Sequence, residues 1–337
     1  MATADVTVMG AGVFGLSVAY ACARRGAVVR VIDPAGVAAG ASGGLVGALA
    51  PHVPENWNDK KAFQFDSLIM AEPFWAEVAA LTGANVGYAR SGRLQPLADA
   101  RAVELARARA ASAADLWQGK AVWEVVEAGG AAWMPPSPTG LVVHDTLSAL
   151  IHPRRATRAL ASAVAALGGA VLRDGQAEGK VVWATGWDGL REIGGNGVKG
   201  QAALLRYAAV GQPQLFADAL HIIPHGDGTV AVGSTSERTF DDPTGTDTAL
   251  DDVLARAVAA FPVLAGAEVI ERWAGVRPRS QSRAPVLGAH PKRAGAFIAN
   301  GGFKIGFGMA PKVGAVMADL ILEGRDTIPD GFRASNA

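Results

Sequence analysis

Apolar positions along the chain alternate between short continuous runs and helical spacings. Val6-Thr7-Val8-Met9 predicts a strand, and after a glycine-rich turn apolar residues recur at helical spacing through Leu16, Ala19, Tyr20 and Ala23 until Gly26. A second strand is expected over Val28 to Ile32. Helices are expected at about 66–81 and 99–116, and His152-Pro153-Arg154-Arg155 opens another, with proline in its first turn, that runs to Gly168-Gly169. The β-rich runs Leu204 to Val210, Ile222 to Pro224 and Val230 to Gly233 suggest an antiparallel sheet, which the helices at about 66–81 and 99–116 are expected to cover. The most apolar stretches, Ala156 to Ala166 and Val313 to Leu322, fall far short of the roughly 20 residues a spanning helix needs, so they read as core helices.

Composition narrows the partners. With 337 residues, 50% of them apolar, the chain can bury one large core or two joined ones. Lys and Arg total 31 against 31 Asp and Glu. That zero balance supplies no broad field for nucleic acid or an anionic membrane, so no nucleic acid and no membrane span are expected, and a small molecule is the expected partner. The one cysteine, Cys22, lies in an apolar helix and can form neither an internal disulfide nor a cysteine-based metal cluster. A reducing cytoplasm fits, as does an N-terminus that enters a strand directly without a basic and apolar leader pattern.

Between the first strand and helix stands Gly10-Ala11-Gly12-Val13-Phe14-Gly15, and the second strand ends at Asp33, 18 residues after Gly15. This order suits a dinucleotide. Gly10 turns the chain, the bare Gly12 lets a pyrophosphate approach amides at a helix N-terminus, and Gly15 lets the helix lie close to the strand. Asp33 then stands where a carboxylate accepts hydrogen bonds from the adenosine ribose and repels a 2′-phosphate, which disfavours NADP. These fifty residues alone leave FAD and NAD both open. Next comes Gly40-Ala41-Ser42-Gly43-Gly44-Leu45-Val46-Gly47, where Ser42 can donate to phosphate or ribose oxygens and the glycines leave room for a flat ring system.

That second segment resembles the one in which the FAD-dependent amino-acid and amine oxidase family, which contains D-amino-acid oxidase, glycine oxidase and sarcosine oxidase, covers its pyrophosphate and enters the flavin site. Further likeness follows in the family's order. Val181-Val182-Trp183-Ala184-Thr185-Gly186-Trp187 is similar to the family's buried strand and Ala-Thr-Gly turn, and Val198-Lys199-Gly200-Gln201 to the strand opening the second part of its substrate domain. Ile223-Pro224-His225 and Gly226 to Gly233 resemble its hairpin, Trp273-Ala274-Gly275-Val276-Arg277-Pro278 its Gly-x-Arg-Pro element, and Asn300-Gly301-Gly302-Phe303-Lys304 its flavin-proximal turn. Two departures stand out: only about ten residues join helix to strand between Gly168 and Lys180, where the family is longer, and Ser282-Arg283 replaces an Asp-Gly pair.

The resemblance implies an α/β chain: an FAD-binding Rossmann-like doubly wound domain, discontinuous over about 1–50, 145–195 and 274–330, with an α+β substrate domain containing an antiparallel sheet over 51–144 and 196–273. Non-covalent FAD is expected against Gly10, Gly12, Gly15, Asp33, Ala41, Ser42, Gly47, Thr185, Gly186, Gly302, Phe303, Lys304 and Ile305. The implied reaction oxidises the C–N bond of a small amino acid or secondary amine to an imine by hydride transfer to the flavin. Arg277 is the expected carboxylate clamp, because a planar guanidinium holds a carboxylate through two parallel hydrogen bonds. Lys304 is the second candidate, and His52, just after the glycine-rich segment, is a candidate proton acceptor. A helix starting at Ala310-Pro311 is expected to aim its N-terminus at the flavin edge. Dioxygen, a quinone and a carrier protein all stay open as electron acceptor. Alternatives are a tRNA-modifying amine oxidase relative, an NAD(P)H-dependent flavoprotein, and a non-catalytic FAD-binding protein.

Overall fold

The computed structural model describes residues 3–334. Strand Val6–Met9 is flanked by Val29–Ile32 and Lys180–Trp183, both parallel to it. Ala170–Leu172 extends the sheet beyond Val29–Ile32, and Phe297–Asn300 followed by the antiparallel Val286–Ala289 extends the other side, giving six strands. Helices Val13–Ala23, Pro153–Ala166 and Gly306–Ala318 pack on this unit. The close approach of Gly306–Ala318 to Val13–Ala23 depends on Gly314, where a Cβ would lie 2.6 Å from the Ser17 carbonyl oxygen.

A second sheet has eight strands in the order Glu268–Arg279, Asn196–Arg206, Thr229–Gly233, Leu220–Pro224, Gln214–Ala217, Arg93–Pro96, Leu141–Asp145 and Trp123–Glu127. All neighbours are antiparallel except Gln214–Ala217 with Arg93–Pro96. The long pairing of Asn196–Arg206 with Glu268–Arg279 runs from Asn196 opposite Arg279 to Arg206 opposite Glu268, with one irregularity at Leu204/Leu205. It fixes where Arg277 stands. A short pairing of Ala48–Leu49 with Ala149–Leu150 lies alongside. Strand Glu268–Arg279 passes through position 274, so the larger sheet uses residues on both sides of it.

Several elements differ from their sequence expectation. The helix expected at 66–81 spans Asp59–Thr82 and is capped by Asn58, whose side chain accepts the Lys61 amide at 3.1 Å. It packs on Gly306–Ala318 and Pro153–Ala166 rather than covering the larger sheet. The helix expected at 99–116 spans Ala100–Leu116, with the Asp99 side chain accepting the Ala102 amide at 2.8 Å. The strand run expected to reach Val210 ends at Arg206. The last long helix begins at Gly306, so Pro311 is inside it, not at its start. Next to the proline, Ser67 Oγ accepts the Lys312 amide at 3.2 Å across the helix pair. Among the described residues no helix is long and apolar enough to cross a membrane.

Candidate active site

A cavity of about 930 Å³ runs between the two sheets, near the upper end of what small-molecule sites enclose. One end is built by the first βα turn. Gly10 has φ +113°, and a Cβ there would come 2.3 Å from the Ala184 carbonyl oxygen; Gly12 is extended, and its missing side chain leaves the cavity wall open beside Ser42. Val13 and Phe14 line the same wall, so the first amides of their helix border the cavity, and Ser42 Oγ accepts the Val13 amide at 2.9 Å. The Ser42 hydroxyl proton stays free to donate. Asp33 is fixed by the amides of Ala11 at 2.8 Å and Ala35 at 3.0 Å, which orient its carboxylate along the wall.

The middle is formed by Gly40 to Ser42 and Gly44 to Ala48 on one side, and by Ala184, Thr185, Gly186, Ala299 and Asn300 on the other. Gly47 is bare because a Cβ would meet the Ile151 carbonyl oxygen at 1.7 Å. Asn300 ties two strand ends together, its Nδ2 donating to the Gly186 carbonyl at 2.8 Å while its Oδ1 accepts the Gly301 amide at 2.8 Å.

At the far end stand Gly302, Phe303 and Lys304, with Trp273, Ala274, Val276, Arg277, Phe216, His221 and Ser234 from the larger sheet. The Phe303 amide donates to the Pro278 carbonyl at 3.1 Å, joining the Gly-Gly-Phe-Lys turn to the Arg-Pro element. Arg277 donates to Ser234 Oγ and to the Thr235 carbonyl at 3.3 Å, both neutral acceptors. Burial pulls its pKa down to about 10, opposed by Glu237. Lys304 is exposed; partial burial, then repulsion from Arg277 and Arg283, holds its ammonium below the usual lysine range. Neither cation forms an ion pair among the described residues.

Of the residues singled out from sequence, Gly10, Gly12, Asp33, Ala41, Ser42, Gly47, Thr185, Gly186, Arg277, Gly302, Phe303 and Lys304 line this cavity together. Gly15 stands behind the wall, where a Cβ would meet the Gly10 carbonyl at 2.1 Å. Ile305 precedes the helix Gly306–Ala318 and packs against the core. His52 stands outside the lining, its ring held to Gln64 Oε1 while Gln64 Nε2 donates to the Ala50 carbonyl at 3.1 Å. Burial keeps its pKa below the ordinary histidine value.

Sequence reasoning misses His221. It lines the cavity from strand Leu220–Pro224, its Nδ1 has no hydrogen-bond partner, and its ring lies 4.8 Å from that of Phe216. Burial, then repulsion from Arg93, Lys304 and Arg277, drives its pKa down to about 3, so it stands neutral at any ordinary pH. A lone histidine in an apolar run carries no motif; only the pairing of its strand turns it inward.

A largely parallel sheet with a glycine turn, a ribose-facing acid and, after its strand Phe297–Asn300, the unpaired Lys304 shares one deep cavity with a largely antiparallel sheet that brings the unpaired Arg277, which defines a dinucleotide-dependent enzyme of two-sheet architecture. The chain belongs to the DAO family of FAD dependent oxidoreductases, whose pattern matches residues 5–320. It is 27% identical over 95% of its length to the bifunctional protein ThiO/ThiG of Trichormus variabilis, of which the match covers 53%. It is 36% identical to the glycine oxidase of Pseudomonas aeruginosa over 40% of this chain and 36% of that protein. The chain thus spans about half the length, or less, of these curated relatives. Its fold is that of the crystallised glycine oxidase from Geobacillus kaustophilus, with TM-score 0.85, 21% identity and 99% of each chain covered.

Proposed function

We propose that this chain oxidises the C–N bond of a small amino acid or secondary amine to an imine, using non-covalent FAD. The observation that carries the reading is the single cavity that joins the Gly12, Ser42 and Asp33 cradle to Arg277 and Lys304. The cradle fits FAD: a side-chain-free approach to a helix N-terminus suits a pyrophosphate, and Asp33, held by two amides, has lone pairs left for ribose hydroxyls. The chemistry FAD supplies when bound is acceptance of two electrons as a hydride.

The chain's own residues would orient the amine and dry the site. Arg277 would grip the substrate carboxylate, its guanidinium positioned by Ser234 and Thr235. Lys304 would add a second positive charge to the same end. His221, neutral, is placed to exchange hydrogen bonds with a polar substrate group. Gly10, Ala41, Gly47, Thr185, Gly186, Gly302 and Phe303 would form the cofactor wall, with Gly15 and Ile305 supporting it from behind. His52, tied to Gln64, would support the segment entering the site and hold no proton for the reaction. We assign the FAD-binding domain to about 1–50, 145–195 and 274–330 and the substrate domain to 51–144 and 196–273. A cytoplasmic setting is consistent with the buried free thiol of Cys22. The zero net charge favours a free small molecule over an RNA-borne amine.

The test is anaerobic. The yellow protein is mixed with glycine, sarcosine, D- and L-amino acids and cyclic imino acids while flavin absorbance is followed, and reoxidation is then compared with dioxygen and a quinone. Rapid bleaching by at least one amine is expected. A protein that takes up no FAD, or that keeps its colour with the whole panel, refutes the proposal.

A further inference from the structure

The substrate end of the cavity carries more positive charge than one carboxylate requires. Two acids stand on the cavity wall, Asp33 and Asp188. Asp33 is at the opposite end, engaged by the amides of Ala11 and Ala35, and Asp188 is exposed on the short helix Gly186–Arg191. The acid nearest in effect to Arg277 is Glu237, and it is already committed: to the Thr235 hydroxyl, to Gln201 Nε2 at 3.1 Å and to Lys199 at 3.8 Å. Arg277 is left with neutral acceptors, and Lys304 has no acceptor among the described residues. Arg283, outside the lining, adds to the positive field at Lys304. The Lys60 ammonium donates to the Arg283 backbone carbonyl at 2.8 Å, and Arg283 repels Lys304.

Water screens Lys304 while the cavity is open. A ligand that fills the cavity removes that water, and a charge without a partner then opposes binding. One carboxylate gripped by the planar fork of Arg277 carries a single negative charge, so Arg277 and Lys304 together keep a net positive charge that a second carboxylate would balance. We propose that the preferred substrate is an amine bearing two carboxylates, one held by Arg277 and the second by Lys304, with His221 lining the space between the charged groups and the apolar Phe216. This rests on the oxidase reading for its chemistry, yet the charge pattern makes its own prediction about binding.

The experiment separates the two. Acetate, propionate, malonate and succinate are titrated into the FAD-loaded protein by calorimetry and by flavin absorbance, and kcat/KM is measured for glycine and sarcosine against aspartate and N-(carboxymethyl)glycine. Dicarboxylates are expected to bind at least tenfold more tightly than their monocarboxylate counterparts, with the same order in kcat/KM. In Lys304→Met that ratio should fall towards one, and Lys304→Arg should restore it. Equal affinity for one and two carboxylates overturns the inference, as does a dicarboxylate preference that survives in Lys304→Met, because Lys304 would then be serving the cofactor alone. Preferential dicarboxylate binding with no bleaching by any amine supports the inference while refuting the oxidase reading.

Discussion

Gly200 has no side chain because Arg277 occupies its place: a Cβ there would lie 1.9 Å from Arg277 Nη2 and 2.3 Å from Cζ. The two residues sit on paired strands, with Val198 opposite Arg277 and Gly200 opposite Gly275, so the guanidinium folds back across bare backbone. Gly200→Ala should therefore move the guanidinium while leaving the FAD wall intact. Displacing an orienting group by about 1 Å costs on the order of 10²-fold in rate, so kcat/KM should fall by about that much with flavin content unchanged. Arg277→Ala should raise substrate KM by roughly 10- to 100-fold, the worth of a charge-assisted hydrogen bond, again without loss of flavin. Steady-state kinetics beside the flavin absorbance ratio check both; flavin loss in Arg277→Ala would place the arginine in the cofactor site instead. At this scale the sequence is legible where a residue stands in a motif, as Arg277 and Lys304 do. Gly200 and His221 are opaque because their meaning lies in strand register. His52 reads as functional from its neighbours in the chain, yet Gln64, a turn into the next helix, claims its ring.

Helix Gly306–Ala318 shows how local preference yields to packing. Proline favours the first turn of a helix, which is why Ala310-Pro311 reads as a start. The helix begins four residues earlier because Gly306 follows the turn closed by Ile305 onto Gly302 at 2.9 Å, and because Met309, Val313 and Met317 bury completely. The neighbouring helix Asp59–Thr82 likewise starts earlier than its apolar spacing indicates, since its first turn is polar and held by the Asn58 cap. These two helices meet where Ser67, fully buried, accepts the Lys312 amide just after Pro311. Ser67→Ala removes that acceptor, and the loss of one such hydrogen bond costs about 0.5–1.5 kcal/mol. Urea unfolding should show a lower midpoint with an unchanged slope. An unchanged midpoint would mean that the Lys312 amide finds another partner. Helix Ala100–Leu116 is legible nearly to the residue because Asp99 marks its start, whereas strands Arg93–Pro96, Trp123–Glu127 and Leu141–Asp145 are not, being short and without turn signals tied to one another.

Across the molecule the two sheets are joined beside the cavity by a pair of stacked imidazoles. His152 precedes the helix Pro153–Ala166 of the six-stranded unit, His225 follows strand Leu220–Pro224 of the larger sheet, and their ring centres lie 4.8 Å apart at a tilt of 32°. His225 Nε2 meets the Leu45 carbonyl at 3.0 Å, so the tie includes the segment that lines the cavity. Protonating both rings would set two positive charges against each other at this distance. Burial, followed by repulsion from His225 and Arg155, pulls the pKa of His152 down to about 4, and burial lowers that of His225 as well. In the unfolded chain a histidine takes its proton near 6.5. Between that value and about 4 the unfolded state binds a proton that the folded state refuses, so stability falls as pH drops through this window and is level above it. His221, driven down to about 3, adds to the loss with the same sign. A tenfold difference in proton affinity between the two states is worth about 1.4 kcal/mol, which makes His152 alone responsible for a loss on the order of 2–3 kcal/mol by the bottom of the window. Carboxylates held below their usual range act in the same direction but only once the pH approaches their unfolded values near 4, which leaves the interval from about 6.5 to 5 to the histidines. Urea midpoints measured from about pH 7.5 to 5 should fall steadily below about 6.5, with flavin release following the same curve, and His152→Gln should flatten the slope whatever it does to the absolute stability. A level profile down to about pH 5, or a slope that His152→Gln leaves untouched, would mean that the stacked pair is not what makes the junction between the sheets acid-sensitive.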